Sequence, residues 1–187
     1  MKKLIMMLIA ITAIALMITA SCDCGTDPKP DPVVPTVAVL SSGSSMVVGE
    51  VVEAQVQMKG ISEVAGFGLK LVYDPFKLEI VSMTRDDNWL TSNDGSVQQM
   101  ALNTFNEDGY AKVVLAVFPT SASVGSTDDT YKPILDLRVR AKSAGNATLS
   151  VSIDNTADSD LGIFNASADL VTGIATENHT WSVSSSY

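Results

Sequence analysis

The sequence predicts an all-β domain of eight or nine strands, most simply two packed antiparallel sheets, and three observations carry that prediction. From Thr36 onward the apolar residues recur with period two, as they do when successive side chains point to opposite faces of a sheet. No stretch holds helical spacing for three turns. Clusters of Gly, Asn, Asp and Ser separate the alternating runs and supply the turns between strands. No motif repeats at a fixed period, which argues against a propeller or a solenoid.

Ahead of that domain the chain runs through Lys2 and Lys3, an uncharged apolar stretch over residues 4–18, and small residues before Cys22. This is the order of a bacterial export signal, so residues 1–21 are expected to be a cleaved signal peptide. The alternative is a transmembrane anchor that stays, since roughly 18 apolar residues can span a bilayer. Thr19-Ala20-Ser21-Cys22, however, resembles the lipobox of bacterial lipoproteins, although Thr19 stands where Leu is usual. That resemblance implies lipidation at Cys22. Residues 22–35, with Pro28, Pro30, Pro32 and Pro35, then read as a semi-extended tether that holds the domain of residues 36–187 away from a membrane anchor. The expected location is the cell envelope, lipid-anchored and facing the periplasm or the exterior.

Cys22 and Cys24 are the only cysteines and cannot staple a domain, so the core must hold it. They also supply only two ligands where structural zinc takes four. Removing residues 1–21 takes away two lysines and leaves ten basic residues against 21 acidic, a formal net charge of −11. Such a surface repels nucleic acid and anionic lipid head groups, which sets nucleic-acid partners aside.

Within the domain, Val52, Ala54, Val56 and Met58 alternate with Glu53, Gln55, Gln57 and Lys59, giving a strand with one wet face. Phe67, Leu69, Leu71 and Tyr73 then alternate with Gly66, Gly68, Lys70 and Val72, and Tyr73-Asp74-Pro75 forms a corner. Pro75 lacks an N–H and ends the ladder, Asp74 can accept from turn amides, and Tyr73 can close the end of the core. Leu78 and Ile80 start the next strand, residues 97–104 another, and residues 110–118 are apolar on nearly both faces, as a central strand tends to be. Leu135 to Ala141 and Ala147 to Ile153 alternate cleanly, and the turn-rich residues 142–146 between them are expected to close an antiparallel pair. Residues 173–184 supply the last strand, with Trp181 and Val183 on one face. The links 84–96, 120–132 and 154–169 exceed hairpin length.

Several of these runs together resemble the first half of cohesin domains. The shared order is Val48-Gly49 before an alternating strand, Gly66-Phe67 opening the next, the Tyr73-Asp74-Pro75 corner, and Leu78-Glu79-Ile80 just after it. Residues 133–139 and 144–149 are similar to the late hairpin of that fold. The resemblance implies a jelly-roll-like sandwich of about nine strands that binds a protein partner, as cohesins bind dockerins, across the sheet face carrying the strand before the corner. Dockerin-binding cohesins present Asn or Asp there, whereas this chain presents Gly66, Gly68, Lys70 and Val72.

The function expected from these residues is a non-catalytic binding module, engaging a dockerin-like or other protein partner through Lys70, Val72, Lys112 and Val114, where cationic and apolar groups alternate outward. The alternative is polysaccharide binding through the loop aromatics Trp89 and Tyr131, in a chain only 6% aromatic. An enzyme is not expected. The lone histidine, His179, sits on the face of Trp181, and no nucleophile elbow, zinc-protease helix or phosphate loop is present. No cofactor is expected either. The oxygen-rich residues 154–160 and 86–95 lack the spacing of an EF-hand and read as solvated turns, with a structural calcium as the alternative.

Overall fold

The computed structural model describes residues 32–185 except 157 and 159; the expected signal peptide, Cys22, Cys24 and most of the tether lie outside the described residues. The strands are β1 (Thr36–Ser41), β2 (Ser45–Val47), β3 (Val51–Lys59), β4 (Ile61–Tyr73), β5 (Leu78–Arg85), β6 (Ser96–Phe105), β7 (Tyr110–Phe118), β8 (Val124–Ser126), β9 (Lys132–Ala141), β10 (Gly145–Ser152), β11 (Gly162–Asn165), β12 (Ala175–Glu177) and β13 (His179–Ser184). One short helix, α1 (Asp87–Leu90), follows β5. Among the described residues nine strands are six residues or longer, matching the sequence expectation. The other four, β2, β8, β11 and β12, are three or four residues long and lie partly in segments expected to be links.

The strands form two sheets. One has the order β12-β1-β3-β9-β5; the other runs β2-β13-β10-β4-β7-β6, with β8 and β11 also paired to β4. All pairings are antiparallel except β1 with β12 and β2 with β13, which are parallel. The alternation seen in the sequence decides what lies between the sheets. Val56, Met58, Leu135, Leu137 and Val139 from one sheet, and Phe67, Leu69, Leu71, Val113, Leu115 and Trp181 from the other, are each at most 1% exposed. Burying side chains of this size contributes roughly 1.5–3 kcal/mol each before the entropy cost of ordering them.

Two expectations need correction. Residues 142–146 do not close a hairpin, because β9 and β10 lie in different sheets. The same turn residues serve an arch between sheets, and each strand's apolar face then meets the other's across the core. Residues 110–118 form β7, which has neighbours on both sides, but only one face is buried: Ala111, Val113, Leu115 and Val117 point inward and the opposite row is partly exposed.

The corner is architectural, as its chemistry implies. Asp74 Oδ1 accepts from the amide of Phe76 at 2.8 Å, and its carbonyl accepts from Lys77 and Leu78. The Tyr73 ring is buried, and its hydroxyl donates to Asn106 Oδ1. Burial is the main reason the phenol is pushed up to about 12. Asn106 also meets both backbone groups of Ile80 at 3.0 Å, so one side chain joins the corner to β5 of the opposite sheet. Gly109 completes the joint with φ +71°, its carbonyl accepting from the Tyr73 amide; a Cβ there would lie 2.3 Å from the Tyr73 carbonyl oxygen.

Candidate functional site

The four residues expected to meet a partner all emerge on the outer face of the larger sheet. Register sets Lys70 opposite Lys112, Gly68 opposite Val114, and Val72 opposite Tyr110. From the edge strand β6, Asn103 joins the Lys112 row, Ala101 the Val114 row and Phe105 the Tyr110 row. From β10, Ser150 stands beside Val72 and Ser152 beside Lys70. The face therefore changes from hydroxyls on β10, through cations and aliphatics on β4 and β7, to aromatic and amide groups at the edge.

Two lysines directly opposite each other in a ladder repel. The structure separates their charges. Lys70 Nζ lies 4.4 Å from the centroid of the Tyr110 ring, a cation–π contact. Lys112 Nζ turns to Asp158 at 2.8 Å and Asp160 at 3.2 Å. The Asp158 carboxylate, through that hydrogen bond above all, raises the Lys112 pKa, and Lys112 in turn holds Asp158 below the usual carboxylate range. The stretch after β10 thus folds back over the face it follows.

That return explains Gly68. Gly66 and Gly68 do not leave bare sheet: both are buried, and a Cβ on Gly68 would lie 1.6 Å from the Asp160 carbonyl oxygen. Gly68 is required because the backbone of Asp160 and Leu161 crosses directly over it, before β11 pairs with β4. Of the four outward positions on β4, Gly68 lies beneath the protein's own chain, Gly66 is buried beside Leu115 and Ala116 of β7, and Val72 is 41% exposed.

One component was missed in the sequence. Phe105 and Tyr110 stack with ring centroids 4.6 Å apart and planes at 24°, so Lys70, Tyr110 and Phe105 form a continuous cationic and aromatic ridge. Ending the strand at Thr104 left Phe105 in a turn. The hairpin register across Asn106 to Gly109 would have placed the two rings opposite each other.

The loop aromatics do not share a surface. Trp89, on α1 where the helix meets β9 and β6, is partly buried and packs against the core. Tyr131 lies beside β3 and β12, with Lys59 Nζ 4.7 Å from its ring centroid and its hydroxyl donating to Glu177 at 2.9 Å. His179 packs against Trp181 at 4.5 Å, with Nε2 3.0 Å from the Gly43 carbonyl.

Of the oxygen-rich links, 157 and 159 lie outside the described residues. Asp154 caps the Thr156 amide, which lowers its pKa, and Asp158 and Asp160 serve Lys112. Asp86 caps the Asn88 amide and Asp87 pairs with Arg85. Among the described residues no three potential metal-ligating side chains converge.

A family model described as the cohesin domain matches residues 36–174. Solved structures agree in fold. A type II cohesin from the cellulosome of Acetivibrio cellulolyticus is 16% identical with a TM-score of 0.61, covering 80% of this chain and 95% of its own. A chain of a type II cohesin–X–dockerin complex from the same organism is 13% identical with a TM-score of 0.62, covering 80% and 99%. A non-cellulosomal cohesin from the archaeon Archaeoglobus fulgidus is 17% identical with a TM-score of 0.56, covering 81% and 92%. No curated protein matches the sequence.

Proposed function

Because this chain belongs to the cohesin domain family over residues 36–174, we propose that it is a non-catalytic module that grips a protein partner with the outer face of the β10-β4-β7-β6 sheet. The observation that carries this is the ridge of Lys70, Tyr110 and Phe105 beside exposed Val72. It combines aromatic area, aliphatic area and one cation, Lys70, that makes no ion pair among the described residues. Groups of that kind form the energetic centres of protein interfaces. Solved relatives include cohesins complexed with dockerins, which supports a dockerin-like helical partner here. Such a partner would set an apolar stripe on Val72 and Phe105 and an acidic or carbonyl-rich helix end near Lys70.

The envelope location belongs to the same proposal. A lipid on Cys22 and a proline-rich tether would present the sandwich at a membrane surface while its acidic body stays clear of anionic head groups. Palmitate labelling of the expressed chain should vanish in Cys22→Ala, and label retained in that variant overturns the anchor.

The partner surface is tested by titrating the exported chain with a panel of purified calcium-loaded dockerin modules. Lys70→Glu and Tyr110→Ala should abolish whatever binding is seen, and chelating the dockerin's calcium should do the same. Binding that survives both substitutions moves the interface elsewhere on the domain.

A further inference from the structure

The second sheet carries a groove that the partner-binding role leaves unused. Its outer surface is ordered in cross-strand rows: Leu40, Gln55, Asp136 and Thr84 in one, and Glu53, Arg138 and Ser82 in the next. Ser41 and Ser42 line one side, and the depression, open to solvent, has a volume of about 570 Å³, within the range of small-molecule sites.

The floor is pre-ordered. Gln57 Nε2 donates to Gln55 Oε1 at 2.5 Å, and Gln55 Nε2 donates to Asp136 Oδ1 at 2.8 Å. This chain holds three planar groups in fixed directions, yet each keeps hydrogen-bonding capacity: the second N–H of each amide, Gln57 Oε1 and Asp136 Oδ2. Arg138, exposed at the rim, makes no ion pair among the described residues and adds a fork of donors.

The composition selects among ligand classes. Two carboxylates, Glu53 and Asp136, against one guanidinium disfavour an anion. Two carboxylates alone do not cage a cation, and no metal-ligating cluster exists among the described residues. The only large apolar side chains in the lining are Leu40 and the inward-facing Leu137, so a peptide would find little to anchor its side chains. What remains matched is a ligand that offers adjacent donors and acceptors at short, regular spacing and little charge. The geometry points to a neutral oligosaccharide, lying across β3, β9 and β5 with vicinal hydroxyls bridging Gln55, Asp136 and Arg138. Without an aromatic platform such binding is weak and rests on hydrogen bonds. The site is separate from Trp89 and Tyr131 and lies on the opposite sheet from the protein-partner face.

Cellohexaose, xylohexaose and mannohexaose, each titrated into the isotope-labelled exported chain up to the solubility of the sugar, test this by amide chemical shifts. At least one should give saturable shifts centred on Gln55, Asp136, Arg138 and Ser82. Gln55→Ala and Arg138→Ala should each weaken it roughly tenfold while leaving the rest of the spectrum in place. No saturable shift with any of the three sugars overturns the proposal. So do shifts centred on Trp89, Tyr131 or the Lys70 face, or unchanged affinity in both variants. Because Lys70→Glu leaves this groove intact, loss of dockerin binding and loss of sugar binding are separable results.

Discussion

The two outer faces of the sandwich are built on the same alternation and are dressed oppositely. On the larger sheet the outward row of β4 and β7 mixes Lys70, Val72, Lys112 and Val114 with the stacked Phe105 and Tyr110. On the smaller sheet the outward row of β3 and β9 is Glu53, Gln55, Gln57, Asp136 and Arg138. The first face is stiffened by contacts that arrive from distant chain: Asp158 and Asp160 on Lys112, and Asp160-Leu161 over Gly68. The second is stiffened within its own sheet, by amides held to one another along β3 and to Asp136 of β9. A face with exposed aromatic and aliphatic area suits another protein, whereas one with directed polar groups suits a hydroxylated ligand.

Substitutions that act on one face should leave the other unchanged, and Gly68→Ala is expected to have the largest effect. A methyl 1.6 Å from the Asp160 carbonyl oxygen forces backbone to move, so thermal or urea unfolding should show a loss of about 3 kcal/mol. Amide exchange should accelerate over residues 160–164, with β3 and β9 unaffected. Asn106→Ala acts at the joint between the sheets, removing the partner of the Tyr73 hydroxyl and of both Ile80 backbone groups. A loss of about 2 kcal/mol is expected in the same measurement. A loss spread equally over both faces in exchange data would mark Asn106 as common to the two sheets.

Tyr110→Ala removes both the stack with Phe105 and the ring beneath Lys70, and should cost about 1 kcal/mol of stability. Sugar-induced shifts on β3 and β9 should persist in that variant. The smallest effect is electrostatic. Asp158, lowered chiefly by the Lys112 hydrogen bond, contributes stability that is present above its unfolded value of 3.8 and fades as pH falls through the lower folded value. Lys112, raised chiefly by the same bond, contributes stability that is present below its unfolded value of 10.5 and fades as pH rises through the higher folded value. Exchange protection near residues 158–162 should therefore weaken at both extremes and hold between them, while Lys112→Ala should flatten the profile. A profile unchanged in that variant would detach the folded-back stretch from Lys112.

Much of the sandwich was legible in the sequence because sheet alternation is local. Val52 to Met58 and Leu135 to Ala141 state their buried faces without reference to any partner strand, and the Tyr73-Asp74-Pro75 corner states its own turn. Residues 142–146 were misread because a hairpin and an inter-sheet arch demand the same turn residues. Phe105 was missed because one residue at a strand end decides whether a ring lies in a ladder or in a turn. Period two sets Lys70 and Val72 on one face of β4, and Lys112 and Val114 on one face of β7, while the pairing of β4 with β7 is what brings the four onto one surface.

By itself, the sequence determined the all-β class, the alternation of nearly every long strand, the corner, and which side chains face outward. Each of these depends on residues within a few positions of one another. Only the tertiary structure decided that β9 and β10 belong to different sheets, and that Asp158, 46 residues beyond Lys112, returns to meet it. Only there, too, does Gly68 become the point where the chain crosses over β4, and do Gln55 and Asp136, 81 residues apart, align to floor a groove. Those choices are made by closing long loops against the gain from packing, an energy that belongs to pairs of distant segments and leaves no period in either.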